Sequence, residues 1–333
     1  MKSARLTVFL AMAAALAGCN GSRQAVGTVN SVIVITTDSV WAAVGDSILA
    51  ALEPRTFTVR DERTFEITQV SPQDPLWTEL RRFRQVLVIG TAEDGWVAPA
   101  VRRADGDAAR GVVQARNVWA RNQLVTAVLV PPGSGPDAAV PLLPVAAQVI
   151  DSVFRVSARQ RMYTSRPDSV LRDSLLAHEG FGILLPNVYR QLTRDHRVSL
   201  FQNSTTIGGD LVRSVLVTWR DGLQEATPEA ALAWRDEIAG AEYRPPQQTQ
   251  RDRIESHSMS VAGAPAAEIQ GIWDGTDPGW PMSGPFVARM IQCPALDRTY
   301  LVDAWLYSPG RAKYEYMIQL QTILNTFECA DAR

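Results

Sequence analysis

Lysine is almost missing from this sequence: Lys2 and Lys313 are the only two in 333 residues. Arginine supplies nearly all the positive charge, a pattern of coding bias in a GC-rich genome and not a phosphate-binding signal. The formal net charge is −2. A slightly acidic chain argues against general binding of nucleic acid or anionic lipid, which needs a clustered basic face. Histidine is scarce, with only His178, His196 and His257. None belongs to an HExxH zinc pattern, and His178-Glu179 has no second histidine four residues on. P-loop, GxGxxG and GxSxG patterns are missing too. The three cysteines, Cys19, Cys293 and Cys329, have neither the company nor the spacing of a metal site. No metal, cofactor or catalytic residue is expected.

What is present begins with an address. Lys2 and Arg5 open the chain, Leu6 to Leu16 is apolar, and the small residues Ala17 and Gly18 precede Cys19. The apolar run is shorter than the roughly 20 residues of a membrane-spanning helix. This is the layout of a secretory signal peptide. Leu16-Ala17-Gly18-Cys19 resembles a lipobox, cleaved before a cysteine whose thiol takes the lipid. The expectation is a chain anchored in the membrane through the lipid on Cys19. Two or more acyl chains make a stable anchor. Asn20, where Asp would favour the inner membrane, points to the outer membrane; the expected location is the periplasmic side, with the face of the membrane left open. Removal of residues 1–18 would take Lys2 and Arg5 and no acid, shifting the net charge from −2 to −4. No later segment is expected to span a bilayer.

Residues 19–30 read as a tether. The rest divides into two halves of similar size, 31–164 and 165–333, separated at Ser165-Arg166-Pro167. The expected class is α+β, with mainly antiparallel sheets each flanked by a long helix; the first half reads as either α/β or α+β. Val32 to Ile35 and Val86 to Ile89 are buried strands. Between them Asp38 or Ser39 caps a helix carrying Trp41, Val44, Ile48 and Leu52. Thr91 to Arg110 reads as loop. Leu124 to Val130 is a strand closed by Pro131-Pro132-Gly133, and a long helix follows from about Asp137 to Tyr163. In the second half, Leu211 to Trp219, Arg253 to Val261, Glu268 to Trp273, Pro285 to Cys293 and Thr299 to Tyr307 are strands. Helices are expected at Asp168 to His178, Pro228 to Gly240 and Arg311 to Phe327. Val125 to Gly133 and Val302 to Gly310 share a strand, Pro-Gly turn and helix order. Internal duplication and convergence both account for it.

Several blocks together resemble a bacterial family of lipoproteins known only as a domain of unknown function. They are Val32-Ile33-Val34-Ile35 with Trp41 and Val44-Gly45-Asp46, Asn117 to Gln123, Phe181-Gly182-Ile183 with Pro186, and Gly271-Ile272-Trp273. Gly284-Pro285-Phe286-Val287 and Tyr307-Ser308-Pro309 with Lys313 and Tyr316 complete the set. The resemblance implies a localisation and no activity. More weakly, the element order of the second half resembles the Mog1/PsbP-like fold, which does not fix function.

Candidate sites are few. Gly45-Asp46-Ser47-Ile48 is similar to the nucleophile block of GDSL hydrolases, but Ser47 falls inside a helix with no strained turn to present it. Cys293 and Cys329, in an oxidising compartment, are either a disulfide or two thiols. Trp280 and Trp273, with Arg289, Asp303 and Lys313, form a candidate binding surface near a Gly/Pro-rich loop; the alternative places the rings in the core and the polar groups on solvated faces. The favoured function is a non-catalytic module for an envelope protein or glycan. An envelope hydrolase and a carrier of a small hydrophobic ligand are the other classes.

Overall fold

The computed structural model describes residues 23–53, 55–56, 62–104, 111–195, 197–204, 211–279 and 281–331. The signal segment, Cys19, His196 and Trp280 lie outside them. The elements begin with β1 (Ser31–Ile35), α1 (Asp38–Leu52), the short pair β2 (Arg55–Thr56) and β3 (Glu62–Arg63), and β4 (Glu66–Val70). Next come α2 (Trp77–Leu80), β5 (Gln85–Gly90), α3 (Ala98–Val101), β6 (Val112–Arg116) and β7 (Leu124–Leu129). A 3-10 segment, Pro136–Leu142, leads into α4 (Leu143–Met162).

Two compact units emerge. One takes in the described residues of Met1–Pro54 and Thr64–Ser152, the other those of Arg55–Arg63 and Val153–Arg333. By contacts the division falls inside α4, and Phe154, just beyond it, stacks on Tyr314 of the same unit at 5.4 Å.

The first unit is built on a sheet of order β4-β1-β5-β7-β6. β1 runs parallel to β4 and β5, and β5 parallel to β7; β6 alone is antiparallel, at the edge. The antiparallel expectation therefore fails for this half, which is the α/β alternative. The physical reason lies in the runs themselves: a parallel strand is covered on both faces and reads as continuous apolar sequence. Val32, Val34 and Leu87 are buried as completely as Ile35 and Val88. α1 is capped by Thr37, whose hydroxyl accepts from the Val40 N–H at 3.4 Å, one residue before the expected cap. Thr37 is the last extended residue, the geometry a cap requires. Its buried stripe is Val44, Ile48 and Leu52.

The run Pro136–Ser165 is long and apolar enough to cross a membrane by length and composition, contrary to expectation. Its buried residues Leu143, Ala146, Ile150, Phe154, Ala158 and Met162 recur every three or four positions. Asp151, Arg155, Arg159 and Arg161 stand off that stripe. This is the periodicity of a helix packed by one face onto a protein core.

The second unit adds α5 (Ser169–His178), β8 (Phe181–Gly182), β9 (Arg190–Asp195), β10 (Val198–Ser204), β11 (Val212–Asp221) and α6 (Pro228–Glu242). β12 (Gln247–Val261), β13 (Ala264–Gly275), β14 (Ser283–Cys293), β15 (Arg298–Tyr307), α7 (Tyr314–Leu324) and β16 (Glu328–Cys329) follow. Seven strands form one antiparallel sheet of order β12-β13-β14-β15-β11-β10-β9. α6 covers one face, where Ala231, Trp234 and Ala239 meet Trp273, Phe286, Met290 and Trp305. α7 covers the other, where Met317, Leu320 and Ile323 meet Val287, Ile291, Tyr300 and Val302. β12 is an edge strand with a register shift between Thr249 and Ile254. The strand-turn-helix likeness of β7 and β15 stays local: β7 lies between parallel β5 and antiparallel β6, β15 between antiparallel β14 and β11.

Cys293, at the end of β14, is disulfide-bonded to Cys329, 36 positions on. β16 pairs with β8, so the bond fixes both ends of the segment that contains α7. A loop of that size restricts the unfolded chain by about 3–4 kcal/mol. Cys293→Ala with Cys329→Ala should lower the urea unfolding free energy of the second unit by that order. An unchanged midpoint would show that the helix docks without the bond.

Candidate functional site

Of the residues expected to form a binding surface, Trp273, Arg289 and Asp303 are buried, and Trp280 lies outside the described residues. Trp273 is fully buried and meets Trp305 edge-to-face, with ring centroids 5.2 Å apart. Asp303 is buried on the α6 face of β15. Its Oδ2 accepts from the Tyr243 hydroxyl at 2.7 Å and lies 3.4 Å from Arg235 Nε. Arg235, itself wholly buried, donates to Thr249 Oγ1 at 3.0 Å and to Gln247 Oε1 at 2.8 Å, and lies over the Phe286 ring at 3.9 Å. Burial pushes the Asp303 carboxyl up, against the pull of Arg235 and the Tyr243 hydrogen bond. Burial also raises the Tyr243 hydroxyl well above its ordinary range, helped by the Asp303 charge.

Arg289 lies on the opposite face of the sheet, in a buried ion pair with Glu268 at 2.6 Å. Lys313 is half-buried: its Nζ donates to Glu62 Oε1 at 2.5 Å and its backbone N–H to Glu62 Oε2 at 2.6 Å. Trp273, Arg289, Asp303 and Lys313 are thus parts of the framework. The expectation of solvated strand faces fails because helices cover both faces of the sheet. Ser47 lies inside α1, without the strained turn of a nucleophile. Among the described residues, no group of His, Cys, Asp and Glu is arranged to hold a metal.

A pocket of ≈ 320 Å³ is found instead in the first unit. It lies beyond the carboxyl ends of β1, β5 and β7, lined by Thr37, Ser39 and Val40 from α1, Ile89 to Thr91, Asp94 and Trp96 after β5, and Val130 to Pro136 without Pro132 after β7. The sequence explains why it opens there. From β1 the chain crosses to β4 on one side, and β5 returns on the other side of β1. The loops diverge at that reversal, where open α/β sheets bind ligands.

Local geometry fixes the lining groups. Asp94 Oδ2 accepts from the Thr91 N–H at 2.7 Å, folding the loop back on the strand end. Trp96 Nε1 donates to the Ile89 carbonyl at 3.1 Å. Both need Gly90: a Cβ there would stand 2.5 Å from Asp94 Oδ2 and 3.2 Å from Trp96 Cζ2. Gly133 takes φ +76, and Ser134 closes the turn through its hydroxyl to the Pro131 carbonyl at 2.6 Å. Thr37 Oγ1 and Ser39 Oγ are 3.0 Å apart. The site offers hydroxyl groups, one carboxylate and apolar walls, and no described His or Cys. Sequence reading passed over it by treating Thr91 to Arg110 as featureless loop. The signal was three apolar runs, each ending in small or hydroxyl residues: Thr36-Thr37, Gly90-Thr91 and Pro131-Pro132-Gly133-Ser134.

The two halves match two family models. Residues 25–163 match a Domain of unknown function (DUF8532) and residues 173–326 a Domain of unknown function (DUF4837). No curated protein matches the chain. Among solved structures, the Ran-binding protein Mog1p of Saccharomyces cerevisiae is 12% identical, with TM-score 0.31, over 46% of this chain and 91% of its own. A protein of unknown function from Pseudomonas aeruginosa is 14% identical, with TM-score 0.26, over 45% of this chain and 90% of its own. LpqN of Mycobacterium tuberculosis, described as involved in cell envelope biogenesis, is 11% identical, with TM-score 0.27, over 44% of this chain and 78% of its own. These likenesses are weak and assign no activity.

Three variants test these assignments. Asp303→Ala strands a buried guanidinium and should cost about 3–5 kcal/mol in urea unfolding. Replacing both partners, Arg235→Met with Asp303→Leu, should cost less than the single change. Equal losses would show that the ion pair is not what holds α6 to the sheet. Gly90→Ala should displace Asp94 from the Thr91 N–H, read as faster hydrogen exchange at Thr91.

Proposed function

We propose that this chain is a lipid-anchored protein of the bacterial cell envelope that binds a small ligand in the pocket of its first unit and performs no chemistry on it. The observation that carries the binding reading is the position of the pocket, at the reversal point of a parallel sheet. Its volume lies near the lower end of the roughly 300–1,000 Å³ of ligand sites. The non-catalytic reading rests on the lining: hydroxyl groups and a carboxylate committed to a backbone N–H, with no described nucleophile and base in hydrogen-bond reach. A purely hydrophobic ligand would displace water from Asp94 and the hydroxyl groups without replacing its hydrogen bonds.

The anchor rests on the sequence alone, on Leu16-Ala17-Gly18-Cys19 and the apolar run before it. Asn20 favours the outer membrane over the inner. An envelope protein or glycan is the partner class this reading favours.

Both halves of the proposal have a direct test. Cys19→Ala should abolish the lipid-bearing mature species, leaving precursor or soluble periplasmic protein on membrane fractionation. A mature lipidated form in that variant would remove the anchor from the reading. For the pocket, native mass spectrometry of the chain extracted from its own membranes should show a small-molecule adduct. Ser134→Trp, on an exposed turn at the pocket, should remove the adduct with the melting temperature kept. Retention of the adduct would place the ligand elsewhere.

A further inference from the structure

The chemistry of the pocket narrows its occupant, an inference that rests on reading the pocket as a ligand site. We propose that it takes a neutral, hydroxyl-rich ligand of single-sugar size, one glycosyl unit.

Charge removes the other small polar classes. None of the lining residues is Lys, Arg or His, so a phosphate or carboxylate ligand finds only the partial positive charge at the amino end of α1 and faces the full charge of the Asp94 carboxylate. Asp38 in the first turn of α1 and exposed Glu93 add negative charge nearby. An ammonium ligand would suit Asp94, but it would abut the amino end of α1, where backbone N–H groups carry partial positive charge. An ammonium group donates and accepts nothing, so it would leave any free hydroxyl proton of the wall without an acceptor.

Hydrogen-bond supply then points one way. Asp94 spends Oδ2 on the Thr91 N–H and keeps Oδ1 as an acceptor. Ser134 spends its proton on the Pro131 carbonyl and can only accept from a ligand. Thr37 and Ser39 spend one of their two hydroxyl protons on each other, and Thr37 also accepts from the Val40 N–H, which leaves one free donor between them. Acceptors therefore exceed free donors on the wall, and the matching ligand brings several donors of its own. Sugar hydroxyls do this while remaining uncharged, and each also accepts. The apolar parts of the wall, among them Val40, Ile89 and Pro136, suit the C–H face of a pyranose ring. A volume of ≈ 320 Å³ restricts the occupant to a ring or two.

The test is calorimetric titration of the full lipidated chain, in a detergent without a sugar headgroup. The probes are glucose, galactose, N-acetylglucosamine, inorganic phosphate and choline. At least one sugar should bind saturably, and phosphate and choline should not. Asp94→Ala should weaken that sugar tenfold or more, and Asp94→Asn by less. Ser39→Ala, which removes an exposed hydroxyl and leaves the Thr37 cap, should weaken it several-fold, and serves if Asp94→Ala fails to fold. No binding of any of the three sugars overturns the proposal, as does sugar binding untouched by both the Asp94 and Ser39 changes. Phosphate or choline bound at the pocket, and lost in Ser134→Trp, would overturn the sugar class while leaving a ligand site. Silence from every probe, with no adduct in native mass spectrometry, would remove the site itself.

Discussion

Arg235 sits in the second unit with no exposure to solvent, and the α6 side of that unit is arranged around it. A guanidinium taken out of water needs a counter-charge and several acceptors at once. Asp303 supplies the charge from β15, Gln247 and Thr249 supply acceptors from β12, and the Phe286 ring of β14 closes the remaining side. One side chain thus ties a helix to an edge strand and to two central strands. Tyr243, at the end of α6, completes the arrangement by donating to Asp303. The Trp273 and Trp305 rings pack beside this cluster, which is why a segment rich in aromatics and glycine forms core. Gly284 belongs to the same economy of space: a Cβ there would stand 1.9 Å from the Leu306 carbonyl oxygen.

How much of this was legible depended on whether the signal was local. α1 could be read from Trp41, Val44, Ile48 and Leu52, and α6 from Pro228, because helical spacing and first-turn proline are written in neighbouring residues. The strands of the large sheet were legible as runs, but their faces were not. Polar residues such as Asp303 and Arg289 in these runs read as accessible to solvent or a ligand; two helices distant in sequence make both faces dry. The same ambiguity hid strand direction in the first unit. Val32-Ile33-Val34-Ile35 is equally good in either sense, and only the helix-sized connections to β4 and onward to β5 make it parallel.

The site was less legible than the fold for the same reason. None of Thr37, Asp94, Trp96 and Ser134 is conspicuous, and 97 positions separate the first from the last. They share a wall because three parallel strands end at one level. A motif search looks along the chain, whereas this pocket is written across it. The lipobox is the opposite case, legible in four residues because a peptidase reads an extended segment.

β12 carries a last consequence. A strand of 15 residues at the rim of a sheet is a template on which another chain can add. Here the ladder breaks between Thr249 and Ile254, and the exposed stretch carries Arg251, Asp252, Glu255 and His257. An incoming strand would meet a register break part-way along and a charged face in place of a neutral one. On this side the rim of the sheet is a poor template for edge-to-edge growth.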